Sequence, residues 1–561
     1  MEHVLSSKEN DCRGCYKCIR GCPTKSIAFH HGQASIIPEE CVLCGRCFEI
    51  CPESCKTIRD DIPVVHSILS QSKKVVVSLA PSFFSAFPGV SFSSIKAALL
   101  KLGFFDVEET ALGATSVKKA YDELVEKGDK DILISTACHS VNLLFEKHYP
   151  ELLPYLCPVV SPMLAHAKAI KEKDPSAKVV FIGPCIAKKD EADKHRDLID
   201  AALTYLELQK MFDEADIVPE IDENNPKEER SLARLFPLSG GILDTMEKKN
   251  KKYDYICVDG MERCLSMIQE IKEGKIHNAF IEMSACAGSC IGGPAMKNEN
   301  RSLYSGSIRI KKMAGEKDFD VKDVPLTSLT TKFENEKHGE KTFSEEDIAK
   351  VLASIGKTSK KDELNCSCCG YPSCRAKAIA VLEGKASLEM CLPYLMKKSQ
   401  SFSNTIVESI DSSVVVLDDD LTIELANPAA AKLFSVRKEM IIGHQISEFL
   451  DPECFGFALG GNPIHHRKLQ MLNGDKIVEG SIIYVAEYHI LIALLNDVTK
   501  EEKARISKEE MLEKTAKITS EVVDKNMRAV QEIASLLGET TAETKIALTK
   551  LRDVLENEKD D

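Results

Sequence analysis

Eight of the chain's 22 cysteines stand in a doubled run, Cys12-x2-Cys15-x2-Cys18-x3-Cys22-Pro23 and then Cys41-x2-Cys44-x2-Cys47-x3-Cys51-Pro52. Cysteines clustered at C-x2-C spacing are a metal pattern rather than a secreted disulfide framework. Thiolate is the soft ligand that iron–sulfur clusters select, and the x3-Cys-Pro ending is a poor zinc pattern, which leaves a zinc knuckle pair as the weaker reading. Four more cysteines occupy unusual small-residue loops downstream. They are Ser135-Thr-Ala-Cys138-His-Ser140, Ile182-Gly-Pro-Cys185-Ile-Ala-Lys-Lys-Asp-Glu191 and Ile281-Glu-Met-Ser-Ala-Cys286-Ala-Gly-Ser-Cys290-Ile-Gly-Gly-Pro294. Glycine there lets backbone approach a bulky inorganic body. A last group, Cys366-x2-Cys369-Gly-Tyr-Pro-Ser-Cys374 completed by Cys391, has C-x2-C-x4-C-x16-C spacing, with Cys368 a competing ligand and zinc an alternative metal.

At 561 residues the chain is too long for one core and implies several domains. A net charge of -14 argues against nucleic-acid or anionic-membrane binding and points to soluble protein partners. The start, Met1-Glu-His-Val-Leu-Ser-Ser-Lys, lacks the apolar core of a signal peptide, so a reducing cytoplasm is expected. The most apolar long window, Val75 to Phe92, is broken by Pro81 and Pro88 and reads as a buried strand and loop, not a membrane span.

Residues 60–72 read as a linker. Beyond them, β-type runs at Val75–Leu79, Asp131–Ser135, Lys178–Ile182 and Tyr255–Val258 alternate with helical stretches such as Ser93–Leu102 and Ser116–Lys127, an α/β pattern. Cys138 and Cys185 follow directly on two of these runs, where open parallel sheets place ligands. Ser344-Glu-Glu-Asp opens a helix with a capping-box-like start. Beyond residue 400, Val414 to Asn427 reads as a hairpin with an Asp-rich turn, then short helices at Ala429–Phe434 and from Glu439, then strands at Ile477–Val485 and His489–Leu495. In the tail, Met511, Ile518, Val522, Ala529, Ile533 and Leu536 fall on a coiled-coil seam, interrupted at Gly538-Glu-Thr-Thr before a second apolar stretch from Ile546 to Leu555.

These motifs carry resemblances. The doubled run resembles the bacterial two-cluster ferredoxin, in which the fourth cysteine of each run ligates the other cluster. That resemblance implies one 4Fe-4S cluster on Cys12, Cys15, Cys18 and Cys51, and another on Cys41, Cys44, Cys47 and Cys22, with Cys55 left over. The three later loops resemble, in order and residues, the signature loops of FeFe (iron-only) hydrogenases, supported by Ser78-Leu-Ala-Pro-Ser82 and Ser239-Gly-Gly241. The resemblance implies an H-cluster, a 4Fe-4S cluster joined to a two-iron unit that carries carbon monoxide, cyanide and a dithiolate. Its ligands would be Cys138, Cys185, Cys286 and Cys290, with Cys290 bridging. Lys188 would hydrogen-bond one cyanide, a role that suits a compact ammonium. Pro81, Ser82 and Pro184 would wall the two-iron unit and donate to its second cyanide. The Cys366 group resembles a small four-cysteine iron–sulfur domain that would hold a further 4Fe-4S cluster on Cys366, Cys369, Cys374 and Cys391. Residues 401–499 resemble a PAS domain, for which no haem or flavin is expected, although His444, His465 and His466 are candidate ligands.

The expected fold is therefore multidomain α/β and α+β. It comprises a ferredoxin-like two-cluster domain at 1–60, an α/β hydrogenase domain at 73–340, a small iron–sulfur domain at 341–398, a PAS domain at 401–499 and a helical coiled-coil tail at 500–561. Departures from the hydrogenase pattern bear on function. Ala137 stands where catalytic members carry a proton-passing cysteine, and alanine cannot carry a proton, so turnover should be slow unless water or His139 substitutes. Ser284 and Gly183 stand where methionines are usual, which should alter the redox behaviour of the iron. The expected activity is a sensory FeFe hydrogenase interconverting H2 with protons and electrons. An ordinary catalytic hydrogenase, or a relative lacking the two-iron unit, is the alternative. The resemblance implies ferredoxin as redox partner, maturation proteins, a separately encoded kinase or phosphatase, a homodimer through PAS and helix, and an anaerobic host.

Overall fold

The computed structural model describes residues 3–8, 11–222, 229–296, 302–322, 324–339, 341–472, 476–537 and 541–557. The chain divides into two compact units, residues 1–395 and 396–561, the division falling within the helix Leu392–Ser409.

In the first unit the doubled cysteine run folds twice in the same way. Each run places a left-handed residue ahead of a short helix, Tyr16 (φ 56°) before Lys17–Gly21 and Gly45 (φ 74°) before Arg46–Ile50. Two small antiparallel pairs complete it, Leu5–Ser7 with Lys56–Ile58 and Ile27–His30 with Gln33–Ile36.

Residues 60–72 are not a linker. Ile62–Gln71 is a helix with proline in its first turn, where a fixed φ favours initiation, and it buries Ile62 and Val65. Its start is held from far along the chain. The Asp61 carboxylate takes Lys189 Nζ at 2.8 Å and Arg59 Nε at 2.8 Å, while Glu207 accepts from both Lys189 Nζ and the Asp61 backbone N–H. Removing one partner from a buried network of this kind costs about 3–5 kcal/mol.

Two parallel sheets follow. One has the strand order Asp106–Glu109, Val75–Leu79, Lys178–Gly183, Ala201–Thr204, and the other Asp254–Asp259, Ala279–Ser284, Ile132–Ile134. All five residues of Val75–Leu79 are buried, as the near-continuous apolar run of a strand covered on both faces requires. The two expected helices are present at Phe92–Lys101 and Ala111–Lys127, the second starting five residues earlier than its expected Ser116. Helix Glu345–Ser354 starts at Ser344, whose Oγ accepts from the Asp347 N–H at 3.1 Å.

The second unit holds a five-stranded antiparallel sheet in the order Ile423–Ala426, Ser413–Leu417, Ile490–Asp497, Ile477–Val485, Ile464–Gln470. Asn427 organises its first crossing. The buried amide caps helix Pro428–Phe434 by accepting from Ala430 N–H, also accepts from Val414 N–H, and donates to the carbonyls of Val407, Ile410 and Ser412. The stretch expected to be a helix from Glu439 is one 3-10 turn, Lys438–Met440. Strand Ile464–Gln470, absent from the sequence reading, carries His465 and His466, both exposed; His444 is exposed too and pairs with Glu448. The tail forms helices Thr499–Leu537 and Thr541–Asn557. Met511, Ile518, Val522 and Ile533 are exposed along the first, whereas the expected break at Gly538 and the side chains of Leu536, Ile546 and Leu555 lie outside the described residues. Among the described residues no helix is long and apolar enough to cross a membrane.

Candidate metal centre

Three strand ends carry the loop cysteines. Cys138 closes the loop after strand Ile132–Ile134 and caps helix His139–His148; Cys185 sits between strand Lys178–Gly183 and helix Ala187–Lys194; Cys286 and Cys290 follow strand Ala279–Ser284. These are carboxyl ends of strands from both sheets, so the loops converge from two sides. Burial pushes the Cys286 thiol well above its ordinary pKa, and repulsion from Cys185, Cys138 and Cys290 adds to it. Cys290 is pushed up to about 12 by burial, then by Cys138 and Cys185, and Cys185 to about 11 by burial, then by Cys138. Four buried sulfurs that disfavour one another's ionisation form a donor set that a cationic metal body would satisfy. Cys290 counts as exposed in surface area although burial is the largest influence on its thiol. Accessible surface at that depth lines an interior space, and we read it as the wall of a cradle.

Glycines at this cradle are sterically fixed. A Cβ on Gly292 would stand 1.9 Å from the Ala287 carbonyl oxygen, and one on Gly293 2.7 Å from that of Pro184, so the third loop lies against the second. One on Gly45 would strike the Pro294 ring, which presses the second N-terminal run against the same loop. Cys44 and Cys286 line one cavity of about 460 Å³ there.

Lys188 is buried. Its Nζ donates to Glu191 Oε2 at 2.5 Å and to the Ala137 carbonyl at 3.2 Å, and so spans the first two loops. Burial acts to lower its pKa, but Glu191, Cys185 and Cys138 outweigh that and raise it, which keeps the ammonium charged. His139 is buried too, with Nε2 2.7 Å from Asp190 Oδ2. It lines a polar cavity of about 320 Å³ with Asn142, Glu146, Ser161 and Glu191. Pro81, Ser82 and Pro184 are buried. Ser284 ends its strand, and its carbonyl accepts from the Gly260 N–H and from the Cys264 thiol at 3.3 Å.

Gly183 does not leave a hole where a methionine is usual. A Cβ there would lie 2.7 Å from the Phe181 ring, which occupies that space from the same strand. Two residues at this site were not singled out from sequence. Tyr205 is fully buried, bonded to Ser82 and close enough to Cys290 for that thiol to help raise its pKa, burial being the larger cause. Cys264 packs beneath Ser284. Neither lies in a cysteine-loop motif, so no spacing signal pointed to them.

The N-terminal cysteines gather across the two runs. Burial and then Cys44, Cys41 and Cys22 raise Cys47, and burial and then Cys22 and Cys41 raise Cys44 to about 12. Burial raises Cys18, with Cys12 and Cys15 adding to it, and Cys51 Sγ lies 3.1 Å from Cys55 Sγ. The third group also assembles. Cys366, Cys369, Cys374 and Cys391 line one pocket with Lys357 and Lys377, whereas Cys368 is exposed and does not line it. Buried Lys377 offers a positive charge to that pocket. Of the remaining cysteines, Cys157 and Cys454 are core residues, and Cys257 is exposed beside Ser239 Oγ at 3.3 Å. Among the described residues no three His, Cys, Asp or Glu side chains stand where a single metal ion could be held, the geometry that zinc needs with thiolates at about 2.3 Å.

Residues 73–294 match the family model described as iron only hydrogenase large subunit, C-terminal domain. Residues 5–52 match a 4Fe-4S dicluster domain, 362–393 an Fe-S cluster family and 407–489 a PAS fold. The periplasmic iron hydrogenase large subunit of Nitratidesulfovibrio vulgaris is 27% identical over 54% of this chain and 91% of its own length. Iron hydrogenase 1 of Clostridium pasteurianum is 25% identical over 51% of this chain, and the match spans 58% of that relative. A solved FeFe-hydrogenase structure from Chlamydomonas reinhardtii covers 49% of this chain and 100% of its own at 16% identity, with a TM-score of 0.37. Residues 73–294 are thus an iron-only hydrogenase large-subunit domain, set in a chain that also carries a 4Fe-4S dicluster domain, an Fe-S cluster segment and a PAS fold.

Proposed function

We propose that the chain is a sensory FeFe hydrogenase of low turnover that couples hydrogen or redox state to a signalling partner. The observation that carries the reading is the mutual repulsion of Cys138, Cys185, Cys286 and Cys290 at one buried point beside a charged lysine. An H-cluster held there supplies the iron chemistry that converts H2 to two protons and two electrons. Cys138, Cys185, Cys286 and Cys290 would be its ligands, and Lys188 Nζ, aimed by Glu191 and the Ala137 carbonyl, would stabilise an anionic iron ligand. Pro81, Pro184 and Ser82 would exclude water. Ala137 offers no ionisable atom, which withholds the short proton step that general acid–base catalysis uses. His139 is turned to Asp190, so its Nε2 is already engaged.

The three other cysteine sets would hold 4Fe-4S clusters on Cys12, Cys15, Cys18 and Cys51, on Cys41, Cys44, Cys47 and Cys22, and on Cys366, Cys369, Cys374 and Cys391. Electrons would leave to a ferredoxin-like partner. The exposed seam of Met511, Ile518, Val522 and Ile533 suits a homodimer or a docked kinase or phosphatase. Maturation proteins would deliver the two-iron unit, and the setting would be cytoplasmic and anaerobic.

Infrared spectra of the matured protein under hydrogen and under argon test the reading. Bands of iron-bound carbonyl and cyanide that shift between the two gases are expected. Their absence would leave a hydrogenase-like iron–sulfur protein, and rapid native turnover would indicate an ordinary catalyst.

A further inference from the structure

The Cys366–Cys391 segment follows the hydrogenase domain in sequence but packs on the N-terminal cysteine runs. The Arg20 guanidinium donates to the Cys15 carbonyl at 3.1 Å and to the Cys368 carbonyl at 2.9 Å, so it touches both cysteine loops. Lys25 Nζ donates to the carbonyls of Ile19 (2.9 Å), Arg20 (3.1 Å) and Gly370 (2.9 Å). An ammonium has three N–H donors, so all three are used and the charge is pinned. Two of those carbonyls belong to the helix Lys17–Gly21, which carries Cys18 and runs into Cys22; the third follows Cys369 directly.

The contact is close. A Cβ on Gly370 (φ 93°) would lie 2.8 Å from Ile19 Cγ2. Cys18, Ile19, Cys47, Cys369, Tyr371 and Met390 share one apolar cluster. The Phe29 N–H donates to the Lys385 carbonyl at 2.8 Å, and Lys385 Nζ pairs with Glu40 at 2.8 Å. Burial lowers the Lys25 pKa, opposed by Cys22 on one side and Cys369 on the other.

We propose that the Cys22 set and the Cys369 set are neighbouring stations of one electron route, and that Lys25 is a positioning residue whose fixed charge lies between them and sets both reduction potentials together. The proposal rests on the 4Fe-4S clusters of the functional reading. An electron passing from the Cys22 set to the Cys369 set oxidises the first and reduces the second by one unit, with no bond made or broken. A nearby positive charge stabilises the reduced, more negative form of each cluster. Cys44, a member of the Cys22 set, lines the cavity shared with Cys286. The route therefore runs from the Cys286 site back into the N-terminal domain and only then to the segment that precedes the PAS fold, against the order of the chain.

The test is a redox titration followed by electron paramagnetic resonance on the full chain, with iron–sulfur clusters reconstituted and no two-iron unit. Lys25→Met should shift the potentials of both the Cys22 and the Cys369 clusters to more negative values while leaving the Cys286 cluster unmoved, and Lys25→Arg should restore both. A shift confined to one of the two clusters, or to neither, overturns the shared-charge inference. A second measurement needs no change at Lys25. In the fully reduced chain the spin of the Cys369 cluster should broaden the Cys22 signal, and Cys391→Ala should sharpen it. A Cys22 signal that Cys391→Ala leaves unaltered overturns the shared route. Failure of the unsubstituted chain to assemble any of these clusters would instead sink the functional reading itself.

Discussion

The hydroxyl of Ser82 lies 2.8 Å from that of Tyr205, and Tyr205 in turn donates its proton to the Ala80 carbonyl at 2.8 Å. Because a hydroxyl has one proton, Tyr205 accepts from Ser82, and the Ser82 proton points away from any ligand bound at Cys290. Tyr205→Phe should free it. In the matured protein that substitution is expected to shift one cyanide band in the infrared while costing only about 1 kcal/mol of stability. Unmoved bands would show that Ser82 does not face the two-iron unit.

Ala137→Cys restores an ionisable atom where Lys188 Nζ meets the loop carbonyl. Hydrogen evolution with an artificial reductant should rise by roughly 10²-fold, the size of a positioned acid–base step. A rate unchanged by the substitution would mean that proton delivery does not limit this site.

Gly183→Met should not recover a hydrogenase-like pocket by itself. The Phe181 ring is 2.7 Å from the added Cβ, and overpacking of this kind costs about 1–3 kcal/mol. Chemical denaturation should show that loss for Gly183→Met, and the pair Gly183→Met with Phe181→Ala should regain part of it.

Asn427→Ala removes the side chain that serves five backbone groups at the first crossing of the second unit. Each buried group left without a partner costs about 1–3 kcal/mol, so melting of this unit should fall markedly. The infrared spectrum of the first unit should not change.

Glu108 supplies a pH signature. The His166 hydrogen bond, then the field of His166 and Lys173, hold its pKa down to about 2 against burial. A depressed carboxylate stabilises the fold above its unfolded value of 4.5 and loses that contribution as pH falls toward about 2. Denaturation midpoints should drop across that window for the native chain and stay flatter for Glu108→Gln. A parallel fall in both would exclude this pair as the cause.

Much of the site was legible because cysteine is informative at short range. The C-x2-C runs and the three small-residue loops announced themselves without any tertiary information, and the strands at Val75, Asp131, Lys178 and Tyr255 followed from apolar periodicity. What escaped notice depends on distant partners. Helix Ile62–Gln71 looked like a linker because its anchors, Lys189 and Glu207, lie far along the chain. Strand Ile464–Gln470 was missed because His465 to Lys468 are all exposed and leave no alternating pattern.

By itself the sequence determined which thiols exist, how they are spaced and where a proton carrier is missing, since ligand chemistry and acidity are properties of residue types. Only the tertiary structure decided which thiols meet, that Phe181 fills the space beside Gly183, and that Lys25 stands between Cys22 and Cys369. Those relations depend on packing between segments remote in the chain, which local propensity and spacing do not encode.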